Sequence, residues 1–166
     1  MTTIQPFSVL DCLEYNDINL DVLTETYGIA FYGRYIAKWP DFCISILNNS
    51  GSIFAYLIGK VEGEKHNDTA KDWHGHVSAV TVASKARRQG IARYLMGYLE
   101  DISTDRYDAY FVDLFVRARN PVAIGMYKNL GYEIYRTINK YYAKSEKEAA
   151  EDAYGTQTLT QTCAKA

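Results

Sequence analysis

Arg87 and Arg88, followed by Gln89, Gly90, Ile91 and Ala92, stand where an apolar run ends and a stretch of helical periodicity begins. A strand that turns through a glycine into a helix leaves backbone N–H groups unpaired at the helix start, and the helix dipole adds partial positive charge there. A phosphate fits such a place. Gly90 lets the backbone come close, Ala92 keeps the next turn uncrowded, and the arginines put charge at the rim. The plainer alternative is a turn with solvated charges, but arginines at a helix start oppose its dipole unless an anion lies between them. His74 and His76 share one face of a strand; a metal would need a further ligand, and none is evident in the sequence. A hydrogen-bonded structural pair or contact to a substrate are the alternatives for them. Tyr127 falls on the inward stripe of a helix, where an aromatic either simply packs or aims its hydroxyl into a site.

These residues need elements to hold them. "FSVL" reads as a short first strand, Asp11 opens a helix, and "LDVLTETYG" is a loop leading to the helix "GIAFYGRYIAKWP", which Pro40 terminates. Phe31, Tyr35 and Trp39 on that helix face either the core or a partner. "FCISILNNSGSIFAYLIGKVEG" is a hairpin around an Asn-Asn-Ser-Gly-Ser turn, and "EKHNDTAKD" a polar loop. "HGHVSAVTVA", apolar over Val77, Ala79, Val80 and Val82, has the character of a central strand. Ile91, Leu95, Leu99 and Ile102 then lay one stripe along a helix. After the strand "AYFVDLFVR" comes "NPVAIGMYKNLGY", with Asn120 at the N-cap, Pro121 in the first turn and Gly131 beyond the end. Ala123, Met126, Tyr127 and Leu130 form its inner face. "EIYRTINKYYA" closes the pattern as a last strand or strand pair, and the polar segment from Lys144 onward is expected to be loosely held.

With 166 residues and 48% hydrophobic content the chain can bury one sizeable core and hardly two. Its formal net charge of -2 gives no general basic field for holding a nucleic-acid backbone, so any polyanion must be bound locally. The N-terminal stretch has no basic segment followed by an apolar one, and no run reaches the roughly 18 apolar residues of a membrane span. The expectation is a cytoplasmic chain with no membrane partner. Cys12, Cys43 and Cys163 are odd in number and lack metal-ligand spacing, which points to reduced thiols, the first two in or near the core.

Arg87, Gly90 and Ala92 match the pattern R/Q-x-x-G-x-G/A of the GNAT acetyltransferases, and Asn120, Ala123 and Tyr127 match that family's Asn-x-x-Ala-x-x-x-Tyr helix. The resemblance implies an α/β fold: a mixed sheet of about seven strands, the central ones splayed apart, with about four helices. Residues 1–154 would form the acetyltransferase domain and 155–166 a polar tail. Acetyl-CoA would lie in the split as cosubstrate, with no metal. It would contact Val80, Thr81, Val82, Asn120 and Tyr127, with its pyrophosphate on the amides of Arg87, Arg88, Gln89, Gly90, Ile91 and Ala92. The runs "TETYGIAFYGRYIAKWP", "WHGHVSAVTVA", "FVDLFVR", "YRTINKYYA" and "EDAY" further resemble the catalytic subunits of NatB-type N-terminal acetyltransferases. Those enzymes acetylate an initiator Met followed by Asp, Glu, Asn or Gln, and work as a heterodimer with a large auxiliary subunit that binds the ribosome. The nascent polypeptide N-terminus would be held by Glu25, Tyr27 and Gly28 on one wall, Tyr141 and Tyr142 on the other, and His74. Two positions depart from the relatives' pattern, Ala30 in place of proline and Gly125 in place of a larger polar residue; Gly125 costs its helix about 1 kcal/mol relative to alanine.

Acyl transfer from a thioester to an amine needs a neutral nucleophile, a polarised carbonyl and a proton for the leaving thiolate. An α-amine of pKa near 7.7 to 8.0 is neutral in roughly a tenth of molecules or more at pH 7, against about one in a few thousand for lysine. An N-terminal substrate therefore needs only a weak base, such as a relayed water. Backbone N–H groups of the Val80 to Val82 segment would hold the carbonyl oxygen, and losing such a donor costs roughly 3 kcal/mol. Tyr127 is the candidate proton donor to the thiol, with Val80 and Asn120 as the other catalytic positions. An acidic second residue in the substrate would be met by His74, tyrosine hydroxyls and N–H groups near Thr81 or Asn120.

Overall fold

Local chemistry sets the element boundaries in the computed structural model, which describes residues 2–14, 16–19, 24–63, 73–142 and 150–159. The strands are β1 (Thr3–Pro6), β2 (Cys43–Leu47), β3 (Ile53–Glu62), β4 (His74–Val82), β5 (Phe111–Arg117), β6 (Glu133–Tyr142) and β7 (Glu151–Leu159). The helices are α1 (Asn16–Asn19), α2 (Ile29–Lys38), α3 (Ile91–Asp105) and α4 (Pro121–Asn129), so three exceed a single turn where about four were expected. In the hairpin turn, Asn48 Oδ1 accepts the N–H groups of Ser50 at 2.9 Å and Ser52 at 3.0 Å, and Gly51 takes a φ of 80°. Asn120 caps α4 by accepting the Ala123 N–H at 3.0 Å, Pro121 occupies the first turn, and Gly131 ends the helix at φ 92°. The first strand begins earlier than "FSVL": β1 ends at Pro6, and Asp11 lies in a 3-10 turn, Leu10–Leu13, with its carboxylate accepting the Ser8 N–H at 2.9 Å.

The seven strands form one sheet in the order β1-β2-β3-β4-β5-β7-β6. Only the β4–β5 pair is parallel. The chain's final described segment corrects the expected loose tail: β7 is inserted between β5 and β6, pairing from Phe111↔Leu159 to Arg117↔Ala153 on one side. A boundary after Tyr154 would cut this strand, and "EIYRTINKYYA" is not the last one. Residues 160–166, including Cys163, and the polar loop 64–72 lie outside the described residues.

Side chains alternate along β3, so the sheet has two apolar faces. Leu57 packs with Phe42, Leu95, Leu99, Leu114 and Tyr127, while Tyr56 and Ile58 pack with Phe7, Tyr32 and Tyr35. The aromatic stripe of α2 thus turns inward, with Tyr32 and Tyr35 buried and Phe31 and Trp39 half-buried. Cys12 and Cys43 are buried and in no disulfide among the described residues, and burial pushes the Cys43 thiol up to about 12. No helix among the described residues is long and apolar enough to cross a membrane.

Candidate active site

One extra residue opens the sheet. Along β3 the neighbours Ile58 and Gly59 face Ala79 and Val77 of β4, so Ser78 has no opposite number and forms a bulge. Its consequence is a change of face: Val77 and Val80 pack with the α3 cluster, whereas Ala79 packs toward α2 and Ser78 Oγ donates to Tyr35 Oη at 2.9 Å. β4 pairs with β5 only from His74↔Phe111 to Val77↔Leu114, and beyond the bulge the two strands part. The gap is a cleft of about 110 Å³ between Ser78–Thr81 and Leu114–Arg117, with Asn120, Ala123 and Tyr127 at its back.

The backbone facing this gap follows from alternation. Ala83 N–H donates to Phe54 O at 2.8 Å, toward β3, so Thr81 faces β3 as well and Val80 and Val82 turn their peptide groups to the open side. Arg87 Nε donating to Val82 O at 3.1 Å agrees with that direction. A 3-10 turn, Ser84–Ala86, then leads to Arg88 at φ 65° and Gly90 at φ 81°, directly ahead of α3. Arg88, Gln89 and Gly90 are exposed, Arg87, Ile91 and Ala92 half-buried, and the first N–H groups of α3 have no partner within the helix. None of the six lines the cavity; they form a separate ledge past the end of β4.

Tyr127 reaches the cleft from α4 with only 7% of its surface exposed and its ring 5.8 Å from that of Tyr132. No described residue hydrogen-bonds its hydroxyl, and burial raises its pKa above the ordinary phenol value. Asn120 lines the cleft too, but its side-chain oxygen is occupied by the α4 cap.

Of the expected substrate-side residues, Glu25, Tyr27 and Tyr142 line the same cavity. Tyr27 stacks on Phe31 at 4.0 Å, donates to Ser78 O at 3.4 Å, and its hydroxyl is held neutral by burial and by nearby Glu25. Burial does the same for Tyr142, outweighing the opposing Arg117 charge. Gly28 does not reach the cavity: it is the exposed residue ahead of α2. Tyr141 is 46% exposed and packs on Phe115 at 4.9 Å, outside the cavity lining, as is His74.

Residues 12–132 match the acetyltransferase (GNAT) family. The chain belongs to that family. It is 49% identical over 146 residues, 88% of this chain and 81% of the relative, to the N-terminal acetyltransferase B complex catalytic subunit NAA20 of Arabidopsis thaliana. Against the corresponding NAT3 subunit of Saccharomyces cerevisiae it is 37% identical over 161 residues, 93% of this chain and 77% of the relative. The structure of Chaetomium thermophilum Naa20 in complex with a bisubstrate analogue superposes with a TM-score of 0.87 at 39% identity, covering 98% of this chain and 89% of that one. Seven strands with a parted β4–β5 pair are the arrangement the GNAT resemblance implied.

Two sets of partners around this GNAT cleft are not evident in the sequence, the acidic neighbours of His74 and His76 and the contacts of Arg117. His74 and His76 do have acidic neighbours: His76 Nδ1 lies 2.6 Å from Asp113 Oδ1, and His74 Nε2 lies 3.4 Å from the same oxygen and 3.5 Å from Glu62 Oε1. The 2.6 Å His76–Asp113 contact is a short hydrogen bond. Burial opposes the Asp113 charge, but hydrogen bonds from His74 and His76 win and hold its carboxyl well below the usual range. Tyr135 Oη donates to the other Asp113 oxygen at 3.1 Å. The second group is Arg117 with Glu151. Arg117 lines the cavity, and buried Glu151 accepts from Arg117 at 2.9 Å, from Arg119 Nη2 at 3.0 Å and from Arg119 N–H at 3.1 Å. The Arg119 hydrogen bond, opposed by burial and reinforced by Arg117, lowers the Glu151 pKa to about 2. A charge at the C-terminal end of a strand where two parallel neighbours separate is the signal that could have found Arg117.

Proposed function

We propose that this chain is the catalytic subunit of a NatB-type N-terminal acetyltransferase, moving the acetyl group of acetyl-CoA to the α-amine of an initiator Met followed by Asp, Glu, Asn or Gln. The observation that carries the reading is the gap between β4 and β5, with the Val80 peptide group turned into it and the Tyr127 hydroxyl opposite, in a chain 49% identical to a NatB catalytic subunit over 88% of its length. The ledge ahead of α3 suits the cosubstrate's phosphates: Gly90 has nothing within 4 Å of where a side chain would stand, and the exposed Arg88 lies beside it.

Acetyl-CoA supplies the activated acyl group as a thioester. Val80 N–H is placed to hold the negative charge that grows on the carbonyl oxygen as the amine attacks. As the C–S bond breaks, the neutral Tyr127 hydroxyl donates a hydrogen bond to the departing sulfur. The proton of the new amide nitrogen leaves through water, since an α-amine needs only a weak base. Glu25, Tyr27 and Tyr142, which line the cavity, orient the peptide, with Gly28, Tyr141 and His74, outside the lining, as the remaining substrate-side positions of the reading. The reading includes a large auxiliary subunit that brings the enzyme to the ribosome, and work on nascent chains in the cytoplasm. Named relatives are catalytic subunits of the N-terminal acetyltransferase B complex, and Val9, Leu10 and Leu13, 48%, 72% and 67% exposed, offer apolar surface beside β1 for a partner.

The test is acetyl transfer to a Met-Asp peptide, measured by mass shift with and without the auxiliary subunit, beside Met-Leu, Ser-Ala and α-blocked lysine peptides. Selective modification of the Met-Asp α-amine is expected. Preference for another peptide would move the enzyme elsewhere within the GNAT family, and cosubstrate binding with no transfer to any peptide would leave only a CoA-binding module.

A further inference from the structure

We propose that Arg117 is the positioning residue that fixes both peptide-side walls of the cleft relative to each other, an inference that rests on the substrate reading of Glu25 and Tyr142 above. Its guanidinium meets three segments, and it ties the loop before α2 to the ends of β6 and β7, which the Tyr142↔Glu151 ladder pair already holds side by side. Nη2 donates to Glu25 in the loop before α2 at 2.5 Å, Nη1 donates to Glu151 at the start of β7 at 2.9 Å, and the face of the group lies 4.1 Å from the ring centroid of Tyr142 at the end of β6. Arg117 itself ends β5, the strand that forms one side of the gap.

The direction of this support can be read from who else holds each partner. Glu151 is buried and already receives two hydrogen bonds from Arg119, so it is a fixed anchor that orients Arg117. Glu25 has no other hydrogen-bond partner among the described residues, and the Tyr142 ring, whose backbone pairs with Glu151, is otherwise met by the edge of Tyr141 at 5.1 Å and a long 3.4 Å bond from its hydroxyl to Phe115 O. Orientation therefore runs outward, from Glu151 through Arg117 to the two groups that face the substrate. A planar guanidinium is required, because it can present two edges to two carboxylates and a face to a ring at once, which an ammonium cannot. With side chains 28% and 37% exposed, the Arg117–Glu25 pair adds little to folding, but a wall displaced by an ångström costs turnover heavily.

The experiment is steady-state kinetics on the full chain with its auxiliary subunit, comparing wild type, Arg117→Lys, Glu25→Gln and the double variant on a Met-Asp peptide. Arg117→Lys is expected to raise the peptide KM about tenfold or more, with the acetyl-CoA KM within about twofold and the melting temperature within about 2 °C. Glu25→Gln, on a surface loop that does not threaten folding, should raise the peptide KM similarly, and the double variant should be no worse than the more affected single one. An unchanged peptide KM in Arg117→Lys overturns the proposal. So do independent, multiplying effects in the double variant, or a loss that raises both Michaelis constants and lowers melting together, which marks a merely structural arginine. A wild type that ignores the Met-Asp peptide would instead condemn the substrate reading itself.

Discussion

Tyr127→Phe removes one oxygen and leaves the packing intact, since the ring stays buried beside Tyr132 and no described residue is bonded to the hydroxyl. The size of the effect depends on how far the proton moves. Burial raises the phenol above its ordinary 10, while a thiol sits near 8.5, so complete transfer to the thiolate is uphill by at least about 2 kcal/mol. The hydroxyl then acts as a hydrogen-bond donor to charge growing on sulfur. Such a bond to a charged group contributes about 1.5–3 kcal/mol, or roughly 10- to 150-fold in rate, against about 10²–10⁴-fold for general acid catalysis with full transfer. Stopped-time mass assays on saturating Met-Asp peptide should therefore give a kcat lowered about 10- to 150-fold, with both Michaelis constants within about threefold. Wild-type kcat should show no falling limb from this phenol up to about pH 10, because its raised pKa keeps it protonated. A variant within about twofold of wild type would reduce Tyr127 to a packing residue. A loss beyond about 10³-fold together with a falling limb near pH 9 would mean a mobile proton, and the desolvation argument would be wrong.

Gly75→Ala would place a methyl group 2.2 Å from Ser103 Oγ, so urea unfolding should show a loss of about 1–3 kcal/mol; Ser103→Ala alone should be neutral or slightly stabilising because that hydroxyl is buried without a hydrogen-bond partner among the described residues, and the double variant should regain part of the loss. No regain would place the strain elsewhere. Gly90→Ala meets no atom but must hold φ 81°, costing about 1–2 kcal/mol locally and raising the acetyl-CoA KM while leaving the peptide KM unchanged; an unaltered acetyl-CoA KM would remove the ledge from cosubstrate binding. Glu151 titrates at about 2 in the fold against 4.5 as its ordinary value, so its contribution to stability is complete above about pH 4.5 and disappears as pH falls toward 2; Asp113 acts in the same direction. Thermal melts of Glu151→Gln should be lower at pH 7 yet lose less on acidification than wild type, and parallel pH curves for the two would contradict the assignment.

What the sequence revealed is local backbone chemistry, and what it hid is register. Gly90, Asn120, Pro121 and Gly131 each announce a turn or cap by residue type alone, and each stands where expected. The cleft itself could not be read this way. It depends on Ser78 being one residue in excess of β3, a count between two strands that the alternation of β4 does not contain. β7 was missed for a related reason: "EDAYGTQTL" is polar and weak in strand propensity, and becomes a buried strand only because β5 and β6 offer it ladders on both sides, with Ala153, Gly155 and Thr156 fitting the narrow space. Yet one signal in the sequence pointed beyond its own neighbourhood. "FVDLFVR" carries two charges in an otherwise apolar strand, and a charge in that setting must have partners. Asp113 finds His76 across the parallel register, 37 residues away, and Arg117 finds Glu151, 34 residues away. Reading such charges as demands for unseen partners, rather than as interruptions of a hydrophobic run, would have required an acidic residue opposite Arg117 before any strand was drawn there, and the polar segment expected to hang loose is where that residue lies.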